Sequence, residues 1–260
     1  MLPAPDAGLN TMFIGVSTKM YMGYAQSLAW LEHLVAEVDA RPALAAGRVF
    51  PFVIPSFPVL PEAAQLVSGT PLVLGAQNCS WADGPWTGEV SPGMLAELGV
   101  GLVEIGHAER RRYFAEDEAM IALKVGAAVD AGLTPLLCVG ELEVSEAATA
   151  ADTVFRQIKA AVSGDWSVAS HLVVAYEPVW AIGAPEPASA TYVSRVTAAL
   201  RDSLGQHGLG GLPIIYGGSA KPGLLPQLDG VSGLFLGRFA HDPTNFGRVL
   251  DEALALAGRR

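Results

Sequence analysis

The sequence is poor in cysteine: its 260 residues include only two, Cys79 and Cys138. Two cysteines cannot form a disulfide framework, and each lies near the end of a strand-like run, which favours buried thiols in a reducing compartment. Long apolar runs are also missing, because no stretch of about 18 residues is free of charge and proline as a membrane span requires. The opening segment, "MLPAPDAGLN", has neither the basic start nor the apolar core of a secretory signal. We therefore expect a cytoplasmic protein with no membrane partner.

Positive charge is scarce as well. Lys and Arg number 16 against 26 Asp and Glu, a net charge of -10. This charge opposes a nucleic-acid partner, since binding to a phosphate backbone requires a basic face. A small anionic substrate is compatible with this charge if positive groups are local. No composition shift or low-complexity tract marks a boundary, so we predict one domain over residues 1–260, with residues 1–10 as a loose leader.

Eight short apolar runs recur along the chain, separated by helix-like segments. The runs are continuous rather than alternating, which is typical of parallel strands covered on both faces. Strands that alternate with helices indicate repeated βαβ units. Eight such units in about 250 residues predict an α/β fold, a single (β/α)8 barrel of eight parallel strands ringed by helices. The runs are "MFIGVST", "VFPFVIP", "PLVLGAQN", "GLVEIG", "TPLLCVG", "HLVVAYE", "LPIIYGG" and "GLFLGR".

Polar residues at the carboxyl ends of these strands are the functional candidates, because active sites of such barrels lie at that rim. Glu177 closes the run "LVVAY". A lone glutamate is most often a solvated surface residue, but apolar walls at a strand end can instead raise its pKa to suit a catalytic base. His107 and Lys19 end two other strands. A carboxylate, an imidazole and an ammonium group are thus predicted to meet at one rim, together with glycine-rich turns.

Four motifs resemble the signatures of the triosephosphate isomerase family, in the order of that family. They are "GAQNC" followed by "WTGEVSPGM", "IGHAERRRYFAE", "AYEPVWAIG" and "YGGSAKP". A lone "YGGS" is a weak signal, but four long motifs at consistent spacing over nearly the whole chain are together highly specific. The resemblance implies a (β/α)8 barrel that isomerises a phosphorylated sugar without a metal or organic cofactor, usually as a homodimer. It also makes Thr87 and Glu89 candidates for the subunit interface.

The resemblance further implies a role for each catalytic candidate. Moving a carbonyl along a sugar phosphate requires a base and donors that stabilise the enediolate. Glu177 corresponds to the base, and His107 to a neutral imidazole that polarises the carbonyl and moves protons. Lys19 corresponds to the ammonium that offsets negative charge, and Glu109 to a supporting carboxylate near it.

Phosphate binding is implied at glycine turns, whose backbone N–H groups can bind a dianion. Gly183, Ser219, Gly237 and the N–H of Arg238 correspond to the phosphate-binding residues of the family. Residues 178–190, "PVWAIGAPEPASA", correspond to a mobile lid that closes over the substrate and excludes water.

Several positions depart from an ordinary triosephosphate isomerase. Ser17 and Thr18 replace larger residues in the first strand, and Tyr21 replaces an asparagine. Arg238 replaces a glycine at the phosphate end. The lid carries prolines, which restrict φ.

In these departures the sequence resembles a branch of the family whose members interconvert L-erythrulose 1-phosphate and D-erythrulose 4-phosphate. The tetrulose is dihydroxyacetone phosphate with one hydroxymethyl group added to the carbon that loses its proton. The short side chain of Ser17 provides room for that group. Ordinary triosephosphate isomerase, a glycolytic enzyme, is the alternative, and a noncatalytic barrel that binds a sugar phosphate is a remote one.

Overall fold

The computed structural model describes residues 11–258, in which eight parallel strands close into a barrel in chain order, β1 to β8. All eight predicted strands form, and the predicted fold is confirmed. The leader predicted for residues 1–10 lies outside the described residues. The strands are β1 (Met12–Ser17), β2 (Val49–Ile54), β3 (Val73–Ala76), β4 (Leu102–Ile105), β5 (Thr134–Val139), β6 (Val173–Tyr176), β7 (Ile214–Tyr216) and β8 (Gly233–Leu236).

Helices connect the strands and cover the outside of the barrel. Two of them begin with a side-chain cap followed by proline: Ser91 accepts a hydrogen bond from the amide of Met94, and Asp242 from that of Thr244. Within residues 11–258 no helix combines the length and the apolar character that crossing a membrane would take. The helices are α1 (Tyr24–Asp39), α2 (Leu60–Leu66), α3 (Pro92–Glu97), α4 (Ala108–Phe114), α5 (Glu118–Asp130), α6 (Ala147–Ala161), α7 (Trp166–Ala169), α8 (Ala190–Gly205) and α9 (Pro243–Ala257).

The strands are buried on both faces, which explains their continuous apolar runs. One core fills the barrel and includes Phe52 and Phe235, whose rings stack with centroids 5.8 Å apart. The other lies between the strands and the helices. Successive side chains of β4 point alternately into and out of the barrel, since Leu102 belongs to the inner core and Val103 to the outer one. Because side chains alternate along a strand, Glu104 shares the inward register of Leu102.

A buried ion-pair cluster fixes the segment after β4. The side chain of Lys124 on α5 is only 2% exposed, and its Nζ donates to Glu116 and, at 3.0 Å, to Asn78 Oδ1. Arg110 Nε donates to the same Glu116 oxygen at 2.6 Å. Arg111 pairs with Glu118 at 2.7 Å and donates to the Gly106 carbonyl. The cluster therefore ties α4 to α5 and to the loop after β3.

Replacement of Lys124 by methionine tests this cluster. The apolar side chain would leave Glu116 buried with Arg110 as its remaining cationic partner, so we expect a loss of roughly 2 to 4 kcal/mol in the free energy of unfolding. Denaturant unfolding measures it. The matched control is Lys159→Met on the exposed face of α6, expected to stay within about 0.5 kcal/mol of wild type. Equal losses in both variants would contradict the analysis.

Candidate active site

A cavity of about 680 Å³ opens at the carboxyl ends of the strands. All nine residues predicted to form the site line it, and no three metal-ligand side chains group together within the described chain. The structure thus brings together residues from β1, β4, β6, β7 and β8 that are far apart in sequence. The nine are Ser17, Lys19, His107, Glu109, Glu177, Gly183, Ser219, Gly237 and Arg238.

Glu177 lies directly after β6 with its side chain almost fully buried. Burial raises the pKa of this carboxyl to about 8, and the nearby Glu104 carboxylate adds to the increase. Its Oε2 has no hydrogen-bond partner among the described residues and lies 3.8 Å from His107 Nε2. A Cβ at Gly217 would come within 2.6 Å of Glu177 Cγ and Oε1, so glycine at that position leaves the room that the carboxylate occupies. The result is a buried, strongly basic carboxylate facing the cavity.

His107 caps the N-terminus of α4 through its ring. The backbone N–H of Glu109 donates to His107 Nδ1 at 3.2 Å. An Nδ1 that accepts a hydrogen bond leaves the proton of the neutral ring on Nε2, the nitrogen nearer Glu177. Burial and the charge of Lys19 lower the pKa of His107 to about 4. The imidazole is therefore neutral at physiological pH and offers one N–H donor to the site.

Lys19 follows β1 in a left-handed conformation, with φ of 48°. Its carbonyl accepts hydrogen bonds from Ser56 Oγ at 2.6 Å and Gln77 Nε2 at 2.7 Å, which hold this strained backbone in place. Its Nζ lies 2.6 Å from Glu109 Oε1. Burial alone lowers the pKa of Lys19, but the hydrogen bond to Glu109 and the surrounding carboxylates outweigh it and raise the pKa. The group is a fixed positive charge.

Ser219 and Arg238 lie at the end of the cavity nearest the lid. The Ser219 hydroxyl donates to the carbonyls of Ala181 and Ala184 at 2.9 and 3.0 Å, which ties the lid to the loop after β7. Within residues 11–258, no hydrogen bond uses the backbone N–H of Gly183 or Ser219, and Arg238 forms no ion pair. The Arg238 guanidinium lies beside Gly183, since a Cβ there would be 4.0 Å from Nη2. Free donors and a positive charge therefore meet at this end.

The lid, residues 178–190, is held at both ends. Trp180 Nε1 donates to Glu141 Oε1 at 2.8 Å, and the amide of Ala188 donates to the Tyr216 hydroxyl at 3.0 Å. At the exposed tip, Glu186 pairs with Lys221 at 2.6 Å. These contacts place Ile182, Gly183, Ala184 and Pro185 in the cavity wall.

Comparison with known proteins agrees with this geometry. The sequence model described as "Triosephosphate isomerase" matches residues 12–253. The chain belongs to the triosephosphate isomerase family. A triosephosphate isomerase from Bartonella henselae has a similar structure, with a TM-score of 0.78 and 30% identity over 96% of this chain and 99% of that one. The predicted membership and the predicted isomerase class are confirmed.

Two relatives share more sequence with this chain. A protein of Pectobacterium atrosepticum named L-erythrulose-1-phosphate isomerase is 49% identical over 95% of this chain and 97% of its own length. A protein of the same name from Mesorhizobium japonicum is 39% identical over 94% of this chain and 97% of its own length.

The sequence motifs of the family did not reveal Glu104. It is 4% exposed, lines the cavity and accepts a hydrogen bond from Ser17 Oγ at 2.8 Å. Burial raises the pKa of Glu104 to about 7, although the Ser17 hydrogen bond and Lys19 oppose the increase. The available signal was a single carboxylate within the apolar run "LVEI", on the inward register. Gln77 and Ser56, which fix the Lys19 backbone, were also missed.

The pH dependence of kcat/KM tests the electrostatics of this site. A base must be ionised to accept a proton. With Glu177 as the base that the family resemblance implies, we expect kcat/KM to rise with pH along an acid limb whose apparent pKa lies near the values of about 8 and about 7 for Glu177 and Glu104. Glu104→Gln removes a negative charge and should move that limb to lower pH. The control Glu143→Gln, at an exposed position, should leave it in place. An acid limb near 4.5 in the wild type, or one that Glu104→Gln does not move, would refute this account.

Proposed function

We propose that this chain interconverts L-erythrulose 1-phosphate and D-erythrulose 4-phosphate through an enediolate. The observation that carries the proposal is the buried Glu177 carboxylate, whose Oε2 lies 3.8 Å from Nε2 of the neutral His107 ring. The same cavity is lined by the short side chain of Ser17, the last residue of β1. The names of the two relatives at 49% and 39% identity support the tetrulose as substrate.

The reaction needs only one base and one proton carrier. Ionised Glu177 takes the proton from C3 of L-erythrulose 1-phosphate, the electron pair of the C3–H bond forms a C2=C3 double bond, and the π pair of the C2 carbonyl moves to its oxygen. His107 Nε2–H donates to this oxygen as its charge develops, and the C3 hydroxyl proton is transferred to it through the ring. Protonated Glu177 then returns its proton to C2, leaving the carbonyl at C3. Lys19 offsets the charge of the enediolate, and Glu109 holds Lys19.

The phosphate is proposed to bind between the lid and the ends of β7 and β8. The unused N–H groups of Gly183 and Ser219 and the N–H groups at Gly237 and Arg238 suit a dianion. The Arg238 guanidinium beside Gly183 adds a positive charge. With the lid held by Trp180, water is excluded from the enediolate, which limits loss of phosphate.

Ordinary triosephosphate isomerase remains the second candidate, because the same base, imidazole and ammonium serve both substrates. The 30% identity to the Bartonella henselae enzyme over nearly the whole chain favours it. A noncatalytic sugar-phosphate-binding barrel would not need a desolvated base, so the buried carboxylate argues against it.

The decisive experiment compares kcat/KM for L-erythrulose 1-phosphate and for glyceraldehyde 3-phosphate. We expect a preference of at least about 100-fold for the tetrulose, equivalent to about 2.7 kcal/mol of transition-state discrimination. Glu177→Gln, purified in the same way, is the blank for contaminating host isomerase, since it keeps the shape of the side chain without a base. A near-diffusion-limited rate with the triose would instead assign the chain to the second candidate.

We also propose a homodimer that works in the cytoplasm. Thr87 and Glu89, the interface candidates, are exposed in the single chain, as are the apolar side chains of Trp86 (40%) and Met20 (89%). Their loops lie at the same end of the barrel, because they follow β3 and β1. Apolar groups so exposed favour burial against a second copy.

Light scattering tests the homodimer. The wild type should show about twice the 27.1 kDa of one chain. Thr87→Arg places a charge in the proposed interface and should shift the protein toward the monomer. The matched control is Leu123→Arg at an exposed position on α5, which should leave the dimer intact. A monomeric wild type would overturn the proposal.

A further inference from the structure

Ser17 and Glu104 form a hydrogen-bonded pair that none of the catalytic steps above uses. Ser17 Oγ donates to Glu104 Oε2 at 2.8 Å across the barrel interior, from the end of β1 to β4. Both side chains are at least 95% buried and both line the cavity. Burying a carboxyl group on the inward face of an apolar strand has a desolvation cost. We therefore expect a group that forms a hydrogen bond with it, either in the protein or in the substrate.

The second oxygen of Glu104 is the one available to a ligand. Ser17 occupies Oε2, and within residues 11–258 no hydrogen bond to Oε1 is formed. Glu104 is 4% exposed and lines the cavity. Its Oε1, which has no protein donor within residues 11–258, is therefore available to accept a hydrogen bond from a donor on the substrate.

The tetrulose supplies such a donor where the triose does not. Relative to dihydroxyacetone phosphate, L-erythrulose 1-phosphate carries one more hydroxymethyl group on the carbon that loses its proton. In the proposed reaction that carbon lies next to Glu177, and Glu104 lines the same cavity as Glu177. The C4 hydroxyl oxygen is only two bonds from that carbon, so a carboxyl group in this cavity is a suitable acceptor for it.

We propose that Glu104, oriented by Ser17, accepts a hydrogen bond from the C4 hydroxyl of the tetrulose and so determines specificity for a four-carbon substrate. The inference rests on the proposed function. Ser17 then does more than provide room for the hydroxymethyl group, because its hydroxyl fixes the carboxylate that recognises the end of that group.

A purely electrostatic role for Glu104 makes a different prediction. By raising the pKa of Glu177, Glu104 alters proton abstraction from every substrate alike. A hydrogen bond to the C4 hydroxyl affects only substrates that possess it. The ratio of kcat/KM for L-erythrulose 1-phosphate to kcat/KM for its 4-deoxy analogue, which has a methyl group in place of the hydroxymethyl, separates the two roles.

The experiment measures that ratio for wild type, Glu104→Met, Glu104→Gln and Ser17→Ala. Methionine keeps the volume but has no acceptor oxygen, and it removes the desolvation cost of a buried carboxyl group. We expect Glu104→Met to lower the ratio about 30-fold, the effect of losing a hydrogen bond to a charged group. Glu104→Gln retains one acceptor oxygen and should lose less, and Ser17→Ala should lower the ratio in the same direction. Glu143→Gln is the control and should keep the wild-type ratio.

The outcomes are distinguishable. A ratio that stays at the wild-type value in Glu104→Met, with tetrulose activity in the wild type, would overturn the role of Glu104 and leave the proposed function standing. A wild type that turns over trioses but not the tetrulose would overturn the proposed function, and this inference with it, before any variant is measured. Should Glu104→Met not fold, as judged by its Tm, Ser17→Ala decides alone: an unchanged ratio there overturns the inference.

Discussion

Desolvation of the Glu177 carboxylate is the constraint on which the rest of the site depends. In water this group would be a weak base, and burial directly after β6, together with the nearby Glu104 carboxylate, raises its pKa to about 8. The barrel provides this environment through small residues in the neighbouring strands. Gly217 leaves space for the carboxylate, and a Cβ at Gly140 would lie 1.9 Å from the Glu177 carbonyl oxygen. Side chains at either position would force the base out of its place.

Glu141 holds both the lid and the strand that precedes Glu177. Glu177 is followed at once by Pro178 and the lid, so any change in the lid backbone acts on the residue that carries the carboxylate. Glu141 accepts hydrogen bonds from Trp180 and also from the hydroxyls of Tyr176 and Tyr192. A single buried carboxylate therefore links the strand before the base, the root of the lid and helix α8. The segment 178–190 and the buried Glu177 are in this way one structural unit.

The sequence predicts the fold well because local signals agree with the global architecture. The eight apolar runs, and caps such as Asp242 followed by proline, each indicate an element that the structure contains. Glu177, His107 and Lys19 were found because they stand inside long motifs at strand ends, where position and residue type point the same way. Their roles in the reaction stay proposals, but the structure places all three in one cavity.

Glu104 could not be found by the same route. It lies within a strand rather than at its end, and only the three-dimensional register shows that it faces the cavity. Ser17 illustrates the same limit, since sequence comparison shows a shorter residue and suggests space, while the structure shows a donor that engages a carboxylate 87 positions away. Long-range pairs of this kind depend on barrel closure, which no local pattern encodes.

Among the described residues, three carboxyl groups and two cationic side chains line the cavity: Glu104, Glu109 and Glu177, and Lys19 and Arg238. Glu104 and Glu177 are two buried carboxyl groups whose pKa values are raised chiefly by burial; Glu104 further raises the pKa of Glu177, and Lys19 lowers the pKa of both. A phosphate dianion would add further negative charge to this cavity. Arg238, beside Gly183 and without an ion pair among the described residues, supplies positive charge at the lid end. An additional carboxylate for recognising a hydroxyl group is compatible with a phosphorylated substrate because Arg238 lies where the phosphate is proposed to bind, while Lys19 offsets the charge of the two buried carboxyl groups.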